Sequence, residues 1–174
     1  PGLDRDRLLF TPNFAPRDED RWALEQGIRT TVDNLYVLRT WPELFRGREI
    51  FVRIDTGRGH GHHRHVRTGG VHSKFGVPLF EVEELEAAAT AIGATVTGLH
   101  AHTGSGNFAL DNWTETAESL VEIARSFGTV RVLDLGGGLG VPERASALPL
   151  DLAALDAALL AVKDRAPSLE FWLE

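Results

Sequence analysis

The chain has 174 residues, 43% of them hydrophobic and 25% charged, which is the balance of an ordinary globular domain. Its net charge of −7 argues against a general nucleic-acid binder, because phosphate contacts need a basic surface. No apolar run approaches the ~20 residues of a membrane span. The lack of cysteine excludes disulfides and thiolate metal sites and is consistent with a cytoplasmic protein.

Short apolar, β-branched runs alternate with longer amphipathic ones. A strand is expected at 7–11 ("RLLFT"), then a helix at 17–27, a strand at 29–33 ("RTTVD") and a helix at 34–45. The run "EIFVRID" (49–55) reads as a strand and 81–93 as a helix, with Val82, Leu85, Ala89 and Ile92 on one face. "TVTGLHAH" (95–102) reads as a strand. A helix over 111–128 follows, its buried face made by Trp113, Ala117, Leu120, Val121, Ala124 and Phe127, with Asp111 or Asn112 as its N-cap. A strand at 130–135 ("VRVLDL"), a helix at 151–166 and a strand at 169–174 ("LEFWLE") complete the series. Leu152, Leu155, Leu159, Leu160 and Val162 form the apolar stripe of the last helix, and the charge runs at 17–21 and 81–86 read as solvated helix faces.

Alternating strand and helix means a parallel sheet covered by helices. An open doubly wound sheet and a (β/α)₈ barrel both fit, and the pattern tips toward the barrel. A barrel takes about 250 residues. The chain begins "PGLDRD" without methionine and stops inside a strand pattern, so it reads as one domain's incomplete barrel, 1–174, from a longer polypeptide.

Three successive strands end in glycine: "RIDTGRG", "LHAHTGSG" and "LDLGGGLG". Ligands of both parallel architectures bind at the carboxyl ends of strands. Glycine there lets peptide N–H groups approach an anion with no Cβ in the way, so the common guest is a phosphate. Arg53, flanked by apolar residues in "FVRID", needs a carboxylate or phosphate partner if buried. Glu174 ends an apolar strand and needs a partner for the same reason. His100 and His102, two apart on a strand, share a face. Ser105 lies between two glycines, suited to a phosphate or to a simple turn. The loop 57–76 carries His60, His62, His63, His65 and His72 among arginines. Their spacing is no specific ligand pattern, so the loop reads as a polar lid and no metal site is expected.

The blocks "RIDTGRGHGHHRHVRTGGVHSKFG", "GLHAHTGSG", "LDLGGGLGVP" and "FWLE", in this order, resemble the fold-type III pyridoxal-phosphate decarboxylases, and among them the diaminopimelate decarboxylases most closely. The resemblance implies a pyridoxal 5'-phosphate enzyme on an α/β parallel (β/α)₈ TIM-type barrel, with meso-diaminopimelate decarboxylated to L-lysine. It implies that His102 stacks on the cofactor ring and that Glu174 pairs with its nitrogen. Ser105 with Gly136, Gly137 and Gly138 cradle its phosphate, and Arg53 and Lys74 lie near the site. Arginine, ornithine and carboxynorspermidine decarboxylases, a racemase-like barrel and a non-catalytic cofactor-binding barrel are the alternatives. The first strands, with the lysine that anchors the cofactor in this family, and the C-terminal β-domain are expected outside the chain, which alone should be inactive. The resemblance further implies an amino-acid substrate, a homodimeric parent protein and, in some relatives, fusion to another lysine-pathway enzyme.

Overall fold

The computed structural model describes residues 2–57, 74–144 and 148–174. The described strands are β1 (Leu9–Phe10), β2 (Arg29–Val32), β3 (Glu49–Asp55), β4 (Val77–Pro78), β5 (Thr95–His100), β6 (Val132–Asp134) and β7 (Glu170–Trp172). The helices are α1 (Arg17–Glu25), α2 (Leu35–Thr40), α3 (Pro42–Phe45), α4 (Val82–Ala91), α5 (Leu110–Phe127) and α6 (Leu152–Lys163). The strands pair in the order β1-β2-β3-β5-β6-β7, all parallel, and the short β4 adds to the end of β3.

The sheet is curled into an incomplete barrel. Thr11, just past β1, donates its hydroxyl to Glu174 Oε1 just past β7, at 3.4 Å, although the two strands lie at opposite ends of the pairing order. Along β3 the side chains alternate. Ile50, Val52 and Ile54 face outward into the apolar layer made with the helices, and each is at most 2% exposed. Phe51 and Arg53 face the concave side. There the Phe51 ring stacks on Trp172 with centroids 5.6 Å apart, and the Arg29 guanidinium lies 5.3 Å from the Trp172 ring. Gly98 of β5 gives Phe51 its room, since a Cβ at that position would come within 2.3 Å of the Phe51 ring.

The expected face of α5 is buried throughout: Trp113, Ala117, Leu120, Val121, Ala124 and Phe127 all pack inward. Its cap differs from expectation. The helix begins at Leu110, and Asn107 Oδ1 accepts the Ala109 N–H, while Asn112 is buried and donates to Thr103 Oγ1 at 2.7 Å. The single helix expected over 34–45 is two helices, because Pro42 forces Trp41 out of the helical region (φ −126°, ψ 47°). Leu152 and Leu160 of α6 are exposed at 62% and 49%, so the buried stripe narrows to Leu155 and Val162. In the charge run 17–21, Asp20 is buried rather than solvated, because it lies on the inner face of α1 beside Ala23 and Leu24.

The stack at Gly98 generates a stability prediction. Gly98→Ala should destabilise the protein by about 1–3 kcal/mol through overpacking, and Phe51→Leu in the same background should recover part of the loss. Urea unfolding of the two variants checks this, and an unaltered Gly98→Ala midpoint would contradict the placement of the ring.

Candidate active site

The carboxyl ends of the strands form the concave mouth, and the register decides which side chains gather there. Arg53 is paired with His100, and His100 with Asp134, across β3, β5 and β6. Parallel partners point to the same face, so these three side chains form a row across the mouth. Asp33 follows β2 directly beside this row, and Glu174 follows β7.

The three glycines after β6 are spaced by peptide groups rather than by an open cradle alone. A Cβ on Gly138 (φ +97°) would sit 2.1 Å from the Gly104 carbonyl oxygen, and one on Gly136 (φ +69°) 2.9 Å from that of Ala101. A Cβ on Gly137 would lie 3.2 Å from the Glu174 backbone oxygen. The 136–138 turn is therefore wedged between the Gly104–Ser105 loop on one side and the end of β7 on the other. Hydrogen bonds fasten it: the Glu174 N–H donates to Gly136 O at 3.1 Å and the Asn107 N–H to Gly138 O at 2.9 Å. This close packing brings Ser105, His102, Gly136, Gly137, Gly138 and Glu174 to one place.

Arg53 is 9% exposed and has three carboxylates in electrostatic range, Asp33, Glu174 and Asp55. Burial lowers its pKa and those carboxylates oppose the shift. The guanidinium also lies 4.7 Å from the Phe75 ring, which Lys74 Nζ shares at 5.1 Å. Asp33 accepts the Phe14 N–H at 2.9 Å and an Asn34 amide N–H at 2.6 Å, yet burial still raises its pKa. His102 is pushed below the usual imidazole range, first by burial and then by Arg53, with Glu174 opposing.

The sequence reading assigned no role to His100, Asp134, Asp33 or Thr11. His100 is 2% exposed, neither ring nitrogen has a hydrogen-bond partner among the described residues, and Nε2 lies 3.7 Å from Glu174 Oε1. Burial, with help from Arg53 and His102, holds its pKa down at about 3, so the imidazole is neutral. Asp134 is 1% exposed and accepts the Gly136 N–H at 2.9 Å. Burial raises its carboxyl to about 6, the Gly136 hydrogen bond lowers it, and the nearby Glu174 raises it. Asp33 in "TTVD" and Asp134 in "VLDLGGG" carried the same signal as Arg53, a charge set in an apolar strand. Thr11 carried none. The His-rich stretch from His60 to His72 lies outside the described residues. Among the described residues, His100, Asp134 and Glu174 present ligand atoms within 4.8 Å of one another. The positive charge of Arg53, felt at His100, disfavours a cation among them.

The donor set fits a phosphorylated, cationic-nitrogen heterocycle. Two glycine turns in contact offer peptide N–H groups for an anion, Arg53 keeps the mouth from being purely acidic, and Glu174 brings an exposed carboxylate. Residues 1–173 match the family model described as the pyridoxal-dependent decarboxylase, pyridoxal binding domain. The chain belongs to this family. It is 37% identical over 157 residues to a diaminopimelate decarboxylase of Methanothermobacter thermautotrophicus, covering 87% of this chain and 37% of that protein. To a diaminopimelate decarboxylase of Streptomyces coelicolor it is 34% identical over 142 residues, 81% of this chain and 32% of that protein. The crystal structure of diaminopimelate decarboxylase from Helicobacter pylori complexed with L-lysine shares the fold with a TM-score of 0.88 at 24% identity, over 99% of this chain and 46% of that one. The chain thus spans less than half the length of these proteins. Among the described residues no helix is long and apolar enough to cross a membrane.

The raised Asp134 carboxyl has a consequence for stability. Its pKa is about 6 when folded, against 3.8 for an ordinary aspartate, so between these pH values the folded state binds the extra proton. Stability therefore falls as pH rises from about 4 to about 6 and stays lower above that range. Asp20, raised to about 6 chiefly by burial, adds to the same slope. Asp134→Asn keeps an acceptor for the Gly136 N–H. It should flatten part of the slope and stabilise the cofactor-free protein at pH 7.5 by up to about 3 kcal/mol. Urea unfolding at pH 5 and pH 7.5 measures it, and an unchanged slope would contradict the assignment.

Proposed function

We propose that the protein containing this chain is a pyridoxal-phosphate-dependent carboxy-lyase that decarboxylates meso-diaminopimelate to L-lysine, in the cytoplasm and as a homodimer. The observation that carries the reading is the position of Glu174 at the carboxyl ends of the strands, its backbone against the triple-glycine turn and its carboxylate beside the His100–Asp134 row. The names of the relatives support the substrate. The homodimer rests on the resemblance set out under Sequence analysis, and the cytoplasmic location on the lack of cysteine.

Pyridoxal phosphate, when bound, supplies an electron sink for the carbanion left by loss of CO₂. Glu174 would hold a proton on the ring nitrogen, since a carboxylate beside a basic nitrogen favours its charged form. His102 would lie against the ring. Ser105 and the Gly137 and Gly138 peptide N–H groups would take the phosphate, as preorganised donors that need no reorientation during the reaction, while Gly136, whose N–H donates to Asp134, would fix the turn. Arg53, with Asp33, Asp55 and Glu174 in electrostatic range, would keep a positive charge at the mouth.

The full-length protein, loaded with cofactor, should release CO₂ from meso-diaminopimelate at least tenfold faster, judged by kcat/KM, than from arginine, ornithine or lysine. Glu174→Gln should lower kcat by roughly 100-fold or more, with a smaller change in KM, the pattern of lost transition-state stabilisation. Preference for arginine or ornithine would reassign the substrate. Racemisation without CO₂ release would favour a racemase-like barrel. Cofactor binding with no turnover of any amino acid would leave a binding module.

A further inference from the structure

The mechanism above gives no task to His100, a histidine buried at the mouth with only 2% of its surface exposed. It lies on β5 between Arg53 of β3 and Asp134 of β6, two residues before His102, and faces Glu174 across the concave surface. Among the described residues, neither of its ring nitrogens has a hydrogen-bond partner. Leaving a buried polar atom unpaired costs about 1–3 kcal/mol, and a side chain with two such atoms needs a functional account. A core position with no polar task would take leucine or phenylalanine at lower cost.

Glu174 Oε1 is approached from two sides, by the Thr11 hydroxyl at 3.4 Å and by His100 Nε2 at 3.7 Å. Both lie just beyond ordinary hydrogen-bond length. Oε1 is thus the oxygen that both groups approach, and the Glu174 side chain is 40% exposed. We propose that His100 is a positioning residue: its Nε2–H, with the Thr11 hydroxyl, takes Glu174 Oε1 and thereby aims Oε2 at the ring nitrogen of the bound cofactor. This rests on the reading of Glu174 given under Proposed function. The groups facing His100 agree with a neutral donor. Arg53 and His102 both oppose a second positive charge there, and Asp134 already accepts from Gly136. A charged imidazolium would also pair with Glu174 as an ion and draw it from the cofactor.

The test uses the full-length, cofactor-loaded protein and nitrogen-15 NMR. In the unmodified protein, His100 should show the neutral Nε2–H tautomer at pH 7.5. An Nδ1–H tautomer or an imidazolium overturns the proposal. With pyridoxal phosphate labelled at its ring nitrogen, His100→Phe should move the nitrogen resonance toward the unprotonated position and weaken cofactor binding roughly tenfold. His100→Gln, which retains a donor, should restore most of both. A resonance unchanged in His100→Phe overturns the proposal, as does a shift that His100→Gln fails to reverse. Glu174→Gln separates the two readings. If it leaves the nitrogen protonated, the role of Glu174 itself fails. If it deprotonates the nitrogen while His100→Phe does not, only the inference about His100 falls. Should His100→Phe not fold, the tautomer in the unmodified protein still decides. A stoichiometric metal ion held by His100, Asp134 and Glu174 in the cofactor-free protein would also overturn it.

Discussion

The mouth of this barrel depends on a close approach of peptide backbones at the 136–138 turn. The turn lies against the Gly104 carbonyl on one side, at a separation that no side chain could occupy, and more loosely against the Glu174 backbone on the other. Hydrogen bonds from Glu174 and Asn107 then lock it to the ends of β7 and of the loop after β5. A methyl group at Gly138 would push these loops apart. His102, Ser105 and Glu174 would separate with them, although none of the three would be altered. The glycines thus act first as spacers between loops.

Charge is arranged around the same point. Taking a guanidinium out of water is costly unless opposite charges accompany it. Asp33, Asp55 and Glu174 accompany Arg53, while Asp134 sits deeper and is pushed toward its neutral form. The outcome is a graded set: one buried cation, a buried carboxyl that titrates near 6, and one exposed carboxylate at the rim. The exposed carboxylate is the one open to the mouth, whereas the deeply buried Asp134 fastens a turn through the Gly136 N–H.

Much of this arrangement was legible in the sequence, for physical reasons that differ by residue. The 3.6-residue period of α5 reported the core correctly, because burial on one side of an element leaves a direct pattern. The break at Trp41 was missed although Pro42 announced it. Arg53 was readable as a charge needing partners, and the same argument applied unaltered to Asp33 and Asp134, where it was not pursued. Glycines at strand ends marked the site, but their spacing role required the loops in three dimensions. His100 was seen to share a face with His102. Its two unpaired nitrogens and its distance from Glu174 depend on the curl of the sheet, which brings together residues 74 positions apart. No local pattern encodes that. Thr11 lies 163 positions from its partner and was invisible for the same reason.

The curl is also what turns a row of strand ends into a site, and the account stands or falls on a ligand sitting where the ends converge. A crystal structure of the full-length protein with pyridoxal phosphate measures this directly. The phosphate should lie on the peptide groups of Gly137, Gly138 and Ser105, with His102 against the ring and a Glu174 carboxylate oxygen within 3.2 Å of the ring nitrogen, roughly a hydrogen-bond length. A cofactor bound away from the 136–138 turn, or one whose nitrogen faces solvent with Glu174 turned aside, would contradict the account.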